Sequence, residues 1–145
     1  MQSQAHYNVR FKAGIQTRTE ELHRIREVVE GEAILFGFDR ETAFQMALAV
    51  DEACTNIIKH SYSGNPGQVF DLEIATLGDR FIVVLTDRGK SFDPNNLPKL
   101  DMKRYFEQCA RGGLGVHIIR LVMDDVAYNV TTNHANQLRM VKYLG

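Results

Sequence analysis

The chain has no tryptophan, three prolines and only two cysteines in 145 residues. Two thiols, Cys54 and Cys109, are too few for a disulfide framework and lack metal-ligand spacing. A packed core must therefore hold the fold, with both thiols reduced as in a cytoplasmic protein. An excess of one charge is missing too. Seventeen Lys and Arg stand against 18 Asp and Glu, a formal net charge of -1, which offers no basic groove for nucleic acid and no basic face for anionic lipid. No apolar run approaches the roughly 18 residues of a membrane span. The opening Met1-Gln-Ser-Gln-Ala-His-Tyr7 has neither the basic start nor the apolar core of a signal peptide. A soluble, cytoplasmic protein is expected, without nucleic acid or membrane as a direct partner.

What is present is ordinary in amount and specific in order. Hydrophobic residues make up 44% and charged residues 24%, as in an average globular protein. The length is that of one domain, expected to span 1–145. Tyr7–Lys12 alternates apolar and polar residues and predicts a strand with one buried face. Thr17 or Thr19 is a candidate cap for a helix through Leu22, Ile25, Val28, Val29, Ala33 and Phe36, stopped at Gly37. Asp39 is the next candidate cap. The helical period then runs from Thr42 to about Ser61, with Ala43, Met46, Ala47, Val50, Ala53, Cys54 and Ile57 as its apolar stripe.

The turn cluster Ser61–Gly67 separates this helix from two strands, Val69–Thr76 and Phe81–Thr86, joined as a hairpin at Leu77-Gly-Asp-Arg80. From Asp87 to Gly113 the periodicity fails, apart from a short helical stretch at Met102–Ala110, which predicts a long functional loop. Leu114–Met123 is helical again. Val126–Thr132 and Gln137–Leu144 close the chain as a hairpin around Asn133-His-Ala-Asn136. The expected class is α+β: a two-layer α/β sandwich in which a mixed, mostly antiparallel sheet is covered on one face by helices.

Three segments carry chemistry. On the second helix, Glu52, Asn56 and Lys59 or His60 fall at i, i+4 and i+7 or i+8, one polar face beside the apolar stripe. A carboxylate, a carboxamide and a cation in that row suit a metal-bound phosphate chain. The amide oxygen of Asn56 is a hard ligand of the kind Mg²⁺ accepts, and Glu52 is placed to take a proton from an attacking hydroxyl or water. Leu85-Thr-Asp87-Arg-Gly89 ends an apolar strand with an acceptor suited to an exocyclic amine and a residue that admits close approach. Arg111-Gly112-Gly113-Leu114-Gly115 opens a helix whose exposed N–H groups suit phosphate oxygens. Taken singly, each also fits a solvated helix face, a turn or a loop end.

Their order does not. A Glu…Asn helix, a strand ending in Asp-x-Gly, a long loop and a Gly-x-Gly helix start together resemble the GHKL (Bergerat-fold) ATPase superfamily, from about Tyr7 to Gly145. Asp51-Glu-Ala-Cys-Thr-Asn-Ile-Ile-Lys-His-Ser-Tyr62, Thr86-Asp-Arg-Gly-Lys-Ser-Phe-Asp-Pro94 and Gly112-Gly-Leu-Gly-Val-His-Ile-Ile-Arg-Leu-Val-Met-Asp124 are similar to its RsbW-like branch of anti-sigma-factor serine/threonine kinases. The resemblance implies that Glu52 is the catalytic base, Asn56 the Mg²⁺ ligand and Asp87 the adenine contact, with Gly89 giving the base room. It further implies ATP contacts from Phe92, Gly112, Gly113, Leu114 and Gly115, with Lys59, His60 and Arg111 near phosphate, and an ATP lid over about 92–112. The partners it implies are a sigma factor, a STAS-domain anti-anti-sigma protein and a second copy of the chain in a homodimer. The alternative is a non-catalytic module whose affinity for another signalling protein is gated by ATP. Two departures stand out: Ser91 occupies the second Gly position of the family's Asp-x-Gly-x-Gly, and Gln137-Leu-Arg-Met-Val-Lys142 lacks the Thr often found in the last strand.

Overall fold

In a computed structural model the described residues are 5–89, 115–131 and 133–145; of His60 and of residues 115–117 the backbone alone is described. The elements are β1 (Asn8–Gln16), α1 (Glu21–Phe36), α2 (Arg40–Asn56), a wide helical turn at Ile57–Ser61, β2 (Val69–Leu77), β3 (Arg80–Asp87), α3 (Gly115–Val122), β4 (Asp125–Val130) and β5 (Asn136–Tyr143). The five strands form one sheet in the order β1-β2-β3-β5-β4. All four described pairings are antiparallel.

Strand alternation sends Phe70, Leu72 and Ile74 of β2, Phe81, Val83 and Leu85 of β3, and Leu138 and Met140 of β5 into the core. The helices close that core from one side. Ile25, Val29 and Ala33 recur every four residues on the buried stripe of α1, and α2 packs between α1 and α3. Its small residues Ala43, Ala47, Ala49 and Ala53 are buried and allow helix contacts on more than one side.

Helix ends and turns follow local chemistry where the sequence spells it out. Asp39 accepts a hydrogen bond from the Thr42 amide at 2.7 Å and caps α2 as expected. Gly37, at φ 128°, ends α1, its N–H donating to the carbonyls of Ala33 and Ile34. The β2–β3 hairpin turns through Gly78 at φ 60° and Asp79, the arrangement with glycine first that suits a two-residue hairpin loop.

Three expectations change. The first turn of α1 carries no side-chain cap, and Glu20 holds the N-cap position. Thr17 is buried instead, its hydroxyl donating to the carbonyls of Asn65 and Gln68 and accepting from the Gln68 amide, so it stitches the end of β1 to the start of β2. The second helix does not continue as an α-helix to Ser61. After Asn56 it widens to i→i+5 bonding, the Tyr62 amide reaching the Ile57 carbonyl at 3.2 Å. Such widened turns rotate the following side chains off the helical row and are frequent at functional sites. Finally, Asn136 is not in the closing turn but in β5, directly opposite Asp87 of β3. The Met102–Ala110 helix lies outside the described residues.

Candidate functional site

The site is organised by the place where β3 stops. Asp87 is 4% exposed at the carboxyl end of an inner strand. A buried carboxylate must be surrounded by donors or give up its charge. Three donors face it. The Asn136 amide nitrogen donates to Asp87 Oδ1 at 2.8 Å, the Gly89 backbone N–H to the same oxygen at 3.0 Å, and the Ser61 hydroxyl also donates to the carboxylate. Burial pushes the Asp87 pKa up, and the bonds from Asn136, Gly89 and Ser61 oppose that shift.

Gly89 has a reason of its own. A Cβ there would lie 2.3 Å from the carbonyl oxygen of Ser61, far inside van der Waals contact, so only glycine lets the strand end lie against the end of the helix. Tyr62 fastens the same junction: its hydroxyl accepts from the Arg88 N–H at 2.8 Å and donates to the Val69 carbonyl at 3.2 Å. The wide turn Ile57–Ser61 thus joins the helix that carries Glu52 and Asn56 to the strand that carries Asp87.

On α2 the two adjacent acids have separate fates. Asp51 pairs with Arg26 of α1 at 2.8 Å and accepts from the Thr55 hydroxyl at 3.3 Å, which ties α2 to its neighbour. Glu52 is partly exposed and has no hydrogen bond or ion pair among the described residues. One turn on, Asn56 is 8% exposed, and its amide nitrogen has no partner among the described residues. Lys59, within the widened turn, is exposed. A row of a free carboxylate and a buried, half-satisfied carboxamide, ending against a buried carboxylate, can meet a ligand that is polar at one end and anionic with a bound cation at the other. Asn56 presents a hard amide oxygen of the type that completes a Mg²⁺ shell with waters and phosphate oxygens. Among the described residues no cluster of three or more His, Cys, Asp or Glu could hold a metal by itself.

Of the residues singled out in the sequence, the fold joins Glu52, Asn56, Asp87 and Gly89 through one junction. Gly115 begins α3, which packs on α2. Phe92, Arg111, Gly112, Gly113, Leu114, Ser91 and the side chain of His60 lie outside the described residues, as does the whole of the expected 92–112 lid. Three residues at the junction escaped the sequence reading: Ser61, Tyr62 and Asn136. Ser61 and Tyr62 sat in a turn cluster and Asn136 in an apparent hairpin loop. The β3–β5 register that sets Asn136 on Asp87 spans 49 positions and leaves no local signal.

Residues 15–142 match the family described as the histidine kinase-like ATPase domain. A serine-protein kinase RsbW from Bacillus cereus is 31% identical over 90% of this chain and 82% of its own length. One from Bacillus thuringiensis has the same identity and coverage. Among solved structures, the SiaB–SiaC complex from Pseudomonas aeruginosa includes a chain that superposes with a TM-score of 0.67 at 14% identity, covering 92% of this chain and 89% of that one. The RsbU and RsbW domains of a Mycobacterium tuberculosis protein give a TM-score of 0.61 at 12% identity over 92% of this chain and 32% of theirs. Both share the fold described above.

Proposed function

The chain belongs to the histidine kinase-like ATPase family, and within it to the RsbW-like serine-protein kinases; from that premise we propose that it is an anti-sigma factor that transfers the γ-phosphate of ATP to a serine of a STAS-domain anti-anti-sigma partner. Residues 1–145 act as a single ATP-binding domain, with 92–112 as its lid. Asp87 accepts from the exocyclic amine of adenine, and Gly89 leaves room for the ring. Asn56 holds Mg²⁺ through its amide oxygen. Gly112, Gly113, Leu114 and Gly115 line the phosphates, Lys59, His60 and Arg111 offset their charge, and Phe92 borders the nucleotide at the lid's start.

The chemistry needed is modest. The serine hydroxyl oxygen attacks the γ-phosphorus in line, the bond to the β–γ bridging oxygen breaks, and ADP departs with that electron pair. Glu52 takes the hydroxyl proton. Bound Mg²⁺ supplies neutralisation of the phosphate charge. The observation that carries the reading is the contrast within the acid pair: Asp51 is bound to Arg26 while Glu52 remains without a partner among the described residues.

Sigma-factor binding, a homodimer and a cytoplasmic location complete the proposal. They draw on family membership. Purified chain incubated with Mg-ATP and the STAS-domain proteins of its source cell should phosphorylate one of them on serine. Stable binding of such a partner with no phosphate transferred would leave only the ATP-gated module.

A further inference from the structure

Asn136 is as deeply buried as the core aliphatics, at 1% exposure, and sits across the β3–β5 ladder from Asp87. Its orientation is set by chemistry. An ionised carboxylate only accepts hydrogen bonds, so the amide end 2.8 Å from Asp87 Oδ1 must be the nitrogen. The amide oxygen is therefore turned away from that contact, and it has no hydrogen-bond partner among the described residues. Buried carboxamide oxygens are ordinarily satisfied, and one that is not marks a place where a donor is missing. Asp87 and Asn136 thus set two acceptors side by side on adjacent strands, at the point where the helix end and strand end meet.

We propose that Asn136 is a specificity-determining residue that reads the purine: its amide nitrogen holds the Asp87 carboxylate in place while its amide oxygen accepts the second hydrogen of the nucleotide's 6-amino group. A primary aromatic amine carries two donors on one nitrogen and satisfies both acceptors at once. A 6-oxo purine turns an acceptor toward two acceptors and is rejected, because it leaves buried polar groups unpaired. The absence of a threonine from Gln137–Lys142 is then no deficit, since the residue just before that run supplies a donor and an acceptor together. This inference rests on the reading of Asp87 as the base contact.

The test is calorimetric titration of the whole chain with Mg-ATP and with the Mg complex of purine riboside triphosphate, which carries hydrogen in place of the 6-amino group. The wild type should prefer ATP. In Asn136→Leu, ATP affinity should fall by about tenfold or more, the worth of one well-made hydrogen bond, while the deaminated analogue changes by less than about threefold, so the ratio collapses. Asn136→Ser, which keeps a hydroxyl able to donate and accept, should give a ratio between the two, and it carries the test by itself if the leucine variant does not fold. A role in the fold at large would weaken both nucleotides by the same factor; a role confined to holding Asp87 would give wild type and Asn136→Leu the same preference for ATP over N6-methyl-ATP, which keeps a single amine hydrogen, and that outcome too overturns the inference. An unchanged ratio in a folded variant overturns the inference and leaves Asp87 in its role, whereas a wild type indifferent to the 6-amino group overturns both.

Discussion

The two ends of the proposed nucleotide site are built in opposite ways. At the base end, Asp87 is buried, held by Asn136, Gly89 and Ser61, and the strand and helix that carry these groups are locked by Tyr62 and by the close approach of Gly89 to Ser61. At the phosphate end, Glu52 has no partner among the described residues, the Asn56 amide nitrogen is unpaired and Lys59 is exposed. The base end is held in place before any ligand arrives, with the Asn136 amide oxygen left open to it, as recognition of a neutral aromatic ring requires, because its few hydrogen bonds discriminate only if their partners cannot relax. The phosphate end is left for the ligand to complete. Its charges are to be met by phosphate oxygens and a cation, and groups already paired within the protein would have to break those pairs first.

If that contrast is right, damage at the phosphate end should affect chemistry and damage at the base end should affect binding and stability. The largest effect is expected from Glu52→Ala: phosphoryl transfer in a single turnover should drop by about 100-fold or more, the range for loss of a general base, while ATP affinity stays within about threefold of wild type. Equal losses in binding and transfer would show that Glu52 holds the nucleotide and would erase the distinction between the two ends.

Next comes Gly89→Ala. The added methyl would meet the Ser61 carbonyl oxygen at 2.3 Å and its carbon at 2.6 Å, both backbone atoms. Forced separation of this kind costs about 1–3 kcal/mol, to be read as a lower urea midpoint together with weaker ATP binding. A neutral result would mean that the strand end is free to move away from the helix. Tyr62→Phe is the milder probe of the same junction. It removes the hydroxyl bonded to Arg88 and Val69 from a half-buried position, and a loss of about 1 kcal/mol should appear in denaturant unfolding.

The smallest effect is a pH dependence. Burial raises the Asp87 carboxyl above its ordinary value of 3.8, so between that value and the raised one the folded chain keeps a proton that the unfolded chain has released. Stability at Asp87 is then greatest below this window and falls as pH rises through it. Nucleotide affinity needs the carboxylate and should move the other way. Denaturant unfolding and ATP titration from about pH 4 to 7 should show the two opposing trends in the wild type. Asp87→Asn should lose the Asp87 contribution to each, read as the difference between the two proteins, in which the titrations of the nucleotide and of the other groups cancel.

Much of this was legible in the residue order because it is local. The Asp39 cap, the Gly37 stop, the Gly78 turn and the stripe from Ala43 to Ile57 depend on neighbours within one or two turns. So does the pairing of Glu52 with Asn56 on one helix row. The cap sought at Thr17 failed because a longer-range demand took its hydroxyl: the carbonyls of Asn65 and Gln68 lie about fifty residues away in the chain. The apolar period runs on past the end of α2 toward Ser61 because it does not report a change from i→i+4 to i→i+5 bonding.

By itself the sequence determined the elements, their core faces and the identity of the groups able to do chemistry: a carboxylate and a carboxamide on one helix, and an aspartate before a glycine at a strand end. The tertiary structure alone decided which of two adjacent acids is without a partner among the described residues, by bringing Arg26 of a different helix to Asp51. It also decided that the glycine is required by a backbone 28 positions earlier at Ser61, and that Asp87 has Asn136 for a partner. These are contacts between segments far apart in the chain. Their energy comes from burial and register across the whole sheet, and no local stretch of residues encodes it.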